Sequence, residues 1–366
     1  MKVSRYNFFV TSENNTCYIY NSATNALLSV EKEIYDFLQQ SKEYQELILP
    51  SDLFDEETVD VLKSANIITQ SDENKLNSLY LKTLSNRFDG TKMNLTLVPT
   101  QACNFNCIYC YEKIRPNIFM DDETENNIIN YVISINPKKL HIAWYGGEPL
   151  MNFKSIQKIS EALIQKNINF NAIMITNGYL MNKEVLNQLF KLRINSLQIT
   201  IDGPKEIHDT RRFLLNGKGT FDKIYKNILL LLSLDECKDI ALKIRINVDK
   251  GNLNTYLKFR DELYDKFSKF NRKVIIYPGW VTGEGNPDIS CLTPEDISSF
   301  TLNNMEDIYP ENEQVECMSR HINSFLIGPT GKMYKCWHNL GHPELELGNL
   351  NDKPCIVDSN LLLTRR

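Results

Sequence analysis

The sequence predicts an α/β protein: a parallel-stranded core with a small α+β module before it and a short cysteine-bearing extension after it. Three observations carry that prediction. From residue 92 to residue 280, six apolar runs alternate with five amphipathic helical stretches. Before residue 85, short strands are followed by short helices. After residue 291 the alternation stops and an irregular segment with cysteines begins. A length of 366 residues suits one large domain with one or two small ones, here 1–85, 90–290 and 291–366.

The first module reads as strands at 8–10, 17–20 and 26–30, separated by turn-forming residues such as Ser12, Asn14 and Asn15. Ser29 is placed to cap a helix over 31–40; a second helix covers 56–65, and Ile67 and Ile68 start a return strand. That order is winged-helix-like. The polar stretch 70–77 reads as a linker.

The core strands are expected at 93–98, 141–145, 172–176, 196–201, 242–248 and 274–280. Helices are expected near 123–134, 153–166, 183–190, 221–232 and 253–267. Right-handed crossovers then give a parallel sheet, either doubly wound or closed into a partial (β/α)6 barrel. In the extension, Thr293-Pro294-Glu295-Asp296 is a helix start, with an N-cap threonine, proline at the first helical position and an acid three residues after the cap. Short strands follow at 324–327 and 332–334.

A net charge of −5 argues against a nucleic-acid partner. The densest apolar run, 228–232, is far too short to span a membrane, and the first residues lack a signal-peptide core. The expected location is the cytoplasm. There nine cysteines do not form a disulfide framework. Cys17, Cys237 and Cys291 read as small buried apolar residues.

Cys103, Cys107 and Cys110 stand apart, three thiols within eight residues just after the first core strand. Thiolates at i, i+4 and i+7 can bind three irons of a [4Fe–4S] cube and leave the fourth open to the amino and carboxylate groups of a small molecule. Structural zinc normally takes four ligands, and the stretch 101–140 offers only these three cysteines. After the second strand come Gly146 and Gly147, which allow close backbone approach, and Glu148, which offers a carboxylate to an ammonium group. Asn177, Thr200, Asp202, His208, Arg212, Arg245 and Asn247 lie at or near the ends of later strands. Each singly could be an ordinary turn or surface residue; their clustering at successive strand ends is harder to dismiss.

The Cys103–Cys110 segment resembles the signature of the radical S-adenosylmethionine (SAM) superfamily, and Gly146-Gly147-Glu148-Pro149 is similar to that family's GGEP motif. The resemblance implies a partial (β/α)6 barrel, a [4Fe–4S] cluster with an open iron on Cys103, Cys107 and Cys110, and SAM as cosubstrate. By the same resemblance Tyr109 packs beside the adenine, and Gly146, Gly147 and Glu148 hold the SAM amino group. Thr200 and Arg212 stand toward its carboxylate, and Asn177 and Asp202 toward its ribose. The run 198–221 closely resembles the radical SAM enzymes that modify peptides and proteins.

Cys317, Gly331, Cys336, Gly348 and Asn349 resemble the start of a SPASM domain, which carries auxiliary iron–sulfur clusters. Only Cys355 follows, so the expectation is a truncated or reduced version with at most one auxiliary cluster, on Cys317 and Cys336 with Cys291 or Cys355 as substitute ligands. In peptide maturases a winged-helix-like module at this position binds the leader of the precursor. The implied activity is therefore hydrogen abstraction from a ribosomally made precursor peptide, to install a crosslink or related modification. The implied partners are that peptide and a one-electron donor such as flavodoxin or ferredoxin. The alternatives are an anaerobic sulfatase-maturing enzyme and a non-catalytic iron–sulfur peptide-binding protein.

Overall fold

A computed structural model describes the chain except Glu13, Gln45, Tyr111, residues 113–115, 282–289, 305–316 and 353–366. Two compact units emerge. The first is Met1–Asn86 with Thr293–Glu316; the second is Arg87–Leu292 with Cys317–Arg366. The segment 291–366, grouped as one extension by sequence, is thus divided between them. Cys355 lies outside the described residues.

In the first unit, β1 (Lys2–Val3) is followed by an antiparallel meander of β2 (Asn7–Thr11), β3 (Cys17–Asn21) and β4 (Ala26–Val30). Then come α1 (Lys32–Gln40), α2 (Glu56–Ser64) and β5 (Ile68–Thr69), which pairs with β1. Cys17 and Ile19 alternate along β3, Ile34 and Leu38 share one face of α1, and these residues pack with Leu62 and Ile67 in the unit's buried core. Two local expectations change. Ser29 is inside β4, and Glu31, the N-cap of α1, makes no side-chain cap. The stretch read as a linker belongs largely to α3 (Glu73–Arg87); its apolar residues form no clear stripe, so periodicity did not reveal the helix. The helix Pro294–Asn303 has the capping box foreseen at Thr293 and Asp296.

The second unit opens with β6 (Lys92–Leu97), α4 (Asp122–Ile135), β7 (Lys139–Trp144), α5 (Phe153–Gln165) and β8 (Phe170–Thr176). It continues with α6 (Lys183–Leu189), β9 (Ile194–Thr200), α7 (Lys205–Arg211) and α8 (Phe221–Ser233). β10 (Ala241–Val248), α9 (Tyr256–Ser268) and β11 (Val274–Trp280) complete the alternation. These six strands are all parallel and lie side by side in chain order. A doubly wound sheet must reverse its strand order at some point; this one does not, so the partial (β/α)6 barrel is the arrangement formed. Every crossover returns to the same flank of the sheet, and the apolar rows it covers, such as Leu242, Ile244 and Ile246 on β10, are buried.

The sheet continues past β6. β12 (Ser324–Ile327) lies parallel to β6, and β13 (Lys332–Tyr334) and β14 (Gly348–Asn349) follow antiparallel. The cysteine-bearing hairpin is therefore continuous with the barrel sheet. Among the described residues no helix is long and apolar enough to cross a membrane.

Candidate active site

The loop between β6 and α4 carries Cys103, Cys107 and Cys110, and its backbone is fastened on two sides. Asn106 N–H donates to Phe213 O at 2.8 Å and Ile108 N–H to Arg211 O at 3.1 Å, which ties the loop to the segment after α7. On the other side, Gly147 N–H donates to Thr100 O at 3.2 Å and Glu148 N–H to Ala102 O at 2.9 Å. Phe105 is fully buried and meets Tyr179 edge-on, anchoring the loop on the barrel end.

The three cysteines open into one cavity of about 140 Å³. Tyr109, Gly146, Gly147, Asn177, Thr200 and Arg212 share its lining. The three thiols line this common space. Phe105 N–H already points at Cys103 Sγ, 3.4 Å away, as a donor to a cluster-bound thiolate would.

The glycines are required by space. A Cβ on Gly147 would lie 2.2 Å from Ala102 O, and one on Gly146 2.4 Å from Thr100 O, with Gly146 at φ +128° besides. Any side chain here would push the β7 end away from the cysteine loop.

Arg212 supplies the positive charge. It is buried, and its Nη1 donates to the Tyr109 hydroxyl at 2.6 Å. Burial works against the guanidinium charge, but Cys107, Tyr109 and Asp202 more than offset it and hold the group charged. Its Nε is buried and has no hydrogen-bond partner among the described residues. A buried donor left unmade is costly, and a ligand carboxylate in the cavity would satisfy it. The donor set thus fits SAM beside a three-thiolate cluster.

Glu148 and Asp202, expected at the ligand, are both fully buried. Glu148 is fully buried and absent from the lining. Its Oε1 accepts from Leu150 N–H at 3.0 Å and the Thr176 hydroxyl at 2.7 Å, and its Oε2 from Asn177 N–H at 2.7 Å. Burial pushes its carboxyl up, and these three donors pull it back. Glu148 therefore braces the β8 end that presents Asn177, whose amide in turn donates to Asn104 Oδ1 at 2.8 Å. Asp202 is likewise fully buried, with Oδ2 3.1 Å from Arg211 Nε. Arg211 also reaches Asp249 at 2.5 Å and Asn247 O at 3.2 Å, locking together the C-terminal ends of β9 and β10. Sequence reading missed Arg211; only its position next to Arg212 at the end of α7 could have flagged it.

The hairpin places Trp337 against the cavity wall. Its ring stacks on Tyr145 at 4.5 Å and 25°, and its Nε1 donates to Thr96 Oγ1 at 2.8 Å. Burial, and after it the nearby Cys110 thiol, push the Tyr145 hydroxyl well above its ordinary value. Cys317 is exposed, 3.2 Å from Ser319 Oγ. Among the described residues Cys317 and Cys336 do not join a group of three metal ligands.

Residues 97–250 match the radical SAM superfamily. The radical SAM cyclopropyl synthase TigE of Paramaledivibacter caminithermalis is 24% identical over 371 residues, covering 92% of this chain and 72% of that protein. The serine-type anaerobic sulfatase-maturating enzyme of Bacteroides thetaiotaomicron is 33% identical over 141 residues, covering 36% of this chain and 34% of that one. Among solved structures, anSMEcpe with bound AdoMet and the Cp18Cys peptide superposes with a TM-score of 0.58 at 19% identity, over 75% of this chain and 81% of that one.

Proposed function

Since the chain is a radical SAM enzyme, we propose that it is a peptide maturase, which removes hydrogen from a ribosomally made precursor to install a crosslink or related modification. The observation that carries this reading is the extent of the likeness to the cyclopropyl synthase: 92% of the chain, far more than the barrel alone. The N-terminal meander, whose outer strand β2 can accept a peptide as a further strand, supports it.

In this reading Cys103, Cys107 and Cys110 hold the [4Fe–4S] cluster, and Gly146, Gly147, Asn177, Thr200 and Arg212 hold SAM. When bound, the two supply a one-electron reductive cleavage and, through it, hydrogen-atom abstraction from an unactivated carbon. The chain's own work is placement. Arg212 Nε takes the SAM carboxylate, and Tyr109 keeps the guanidinium in position. Glu148 and Asp202 hold the β8 and β9 ends in register behind the ligand. Phe105, Tyr145 and Ile175 line the cavity with apolar surface that limits water. Cys336, just before the Trp337 that stacks on Tyr145, and Cys317 are the ligands this reading gives to an auxiliary cluster. The precursor peptide, a flavodoxin- or ferredoxin-type electron donor and a cytoplasmic location complete the reading.

A sulfatase-maturing activity is the second reading, favoured by the 33% identity to such an enzyme over 141 residues. Co-expression decides between them. Each short open reading frame beside the gene is expressed anaerobically with wild-type protein and with Cys107→Ala, and the peptides are weighed by mass spectrometry. A mass loss in hydrogens that appears only with the wild type is the expected result. Unmodified peptides together with a formylglycine-bearing sulfatase would favour the second reading. Peptide modification by Cys107→Ala would sink both.

A further inference from the structure

On the barrel face that bears Thr200, β10 carries two cations, Lys243 and Arg245, that are not among the residues lining the cavity. In the parallel register Thr200 pairs with Arg245, and Arg245 with Tyr277, so these three side chains stand in one row on the inner face. Thr200 already lines the cavity. Two residues back on the same face, Lys243 lies beside Gln198 and Ile275.

Arg245 is half-buried, and its Nε donates to Asn247 Oδ1 at 2.8 Å. Gly279, opposite Asn247, leaves the room: a Cβ there would fall 2.1 Å from Arg245 Nε and 2.7 Å from Asn247 Oδ1. The glycine and the amide thus set the guanidinium in one posture. The nearby acids are engaged elsewhere. Asp202 and Asp249 are held by Arg211, and Glu148 by Leu150, Thr176 and Asn177. Among the described residues no carboxylate lies within ion-pair distance of Arg245 or Lys243. Among the described residues neither terminal nitrogen of this preset guanidinium has a hydrogen-bond partner, so it presents the planar fork that a carboxylate matches.

We propose that Arg245 is a specificity-determining residue that binds a carboxylate of the peptide substrate, one strand over from the SAM pocket, so that the modified residue is presented beside an acidic group. This rests on the peptide-maturase reading for what the substrate is. Arg212 would serve the SAM carboxylate and Arg245 the substrate's. Lys243 adds positive potential on the same face. The whole chain carries a net charge of −5, so a preference for acidic peptides would come from this local pair and not from bulk attraction.

The test is equilibrium binding of fluorescein-labelled synthetic peptide pools to the reconstituted, unreduced enzyme with SAM, read by anisotropy. One amidated pool carries a single Asp or Glu per molecule. Its twin has Asn or Gln instead, and a third pool is the twin with a free C-terminal carboxylate. The acidic pool is expected to bind about tenfold tighter than its twin. Arg245→Lys should keep a preference and Arg245→Gln should lose it. If only the free-carboxylate pool gains, the group recognised is the peptide's C-terminus. Equal binding of all three pools, or a preference that survives in Arg245→Gln, overturns the proposal. A preference that stands while no co-expressed peptide is modified removes the maturase reading and leaves the carboxylate site. A modified peptide with no such preference does the reverse.

Discussion

His208 shows how a single side chain behind the cavity is committed to one protonation state. It is fully buried, its Nδ1 accepts from Asp202 N–H at 3.3 Å, and its Nε2 lies 3.0 Å from Thr220 Oγ1. That hydroxyl donates to Arg212 O, so it must accept from Nε2–H, and the ring is neutral. Burial, then the charges of Arg212 and Arg211, push its pKa down from 6.5 to about 2. The sign follows directly. Below pH 6.5 the unfolded chain binds a proton that the folded chain refuses, so stability is intact above that pH and falls as acid is added. By about pH 5 this one group should cost ~2 kcal/mol. Urea midpoints of wild type and His208→Asn, taken at about pH 7 and about pH 5, should show the larger acid loss in the wild type; parallel losses would refute it. The residue type alone, His-Asp after an Asp-Gly-Pro turn, marked the neighbourhood but not this role.

At the scale of elements, the site depends on two loops meeting without side chains between them. Gly147 faces backbone oxygens of Ala102 and Gln101 at 2.2 and 2.5 Å from its would-be Cβ, and neither can swing aside as a side-chain tip can. Gly147→Ala should therefore cost roughly 1–3 kcal/mol and displace the cysteine loop. Reconstituted protein should show reduced visible iron–sulfur absorption and an earlier thermal transition. Gly90→Ala is the control, since nothing lies within 4 Å of its Cβ position. If both variants reconstitute like wild type, the close approach has no bearing on the cluster. The glycine pair was legible in sequence because it follows a strand end. Glu148 was legible as important but not as internal: where a carboxylate points depends on which amides surround it, and Thr176 and Asn177 arrive there from a different strand. The helix Glu73–Arg87 was not legible at all, because propensity without an apolar stripe looks the same in a helix and a polar linker.

For the molecule as a whole, the proposed peptide-recognition role belongs to the first unit and can be tested apart from the chemistry. Phe8 is 57% exposed on the outer strand β2 and packs beside Tyr20 at 6.3 Å. An exposed apolar edge of this kind is costly to leave bare and useful if a strand pairs with it. Phe8→Asp should change stability by no more than about 0.5 kcal/mol, weaken precursor binding several-fold and leave peptide-independent release of 5′-deoxyadenosine as it was. Equal precursor affinity in the variant would move recognition elsewhere. Much of this protein was determined by its sequence alone. Strand and helix alternation follows from local apolar periodicity, and the cluster loop follows from thiols three and four residues apart, so both survive without knowledge of the fold. What only the tertiary structure decided is everything that requires strands distant in sequence to be neighbours. Sequential order of the strands closed a barrel where a doubly wound sheet was equally open. The same order brought Glu148 against Thr176 and Asn177, set Asp202 against Arg211, and stood Arg245 in a row with Thr200 and Tyr277. Such facts depend on register and burial across the sheet, and no local stretch of sequence contains them.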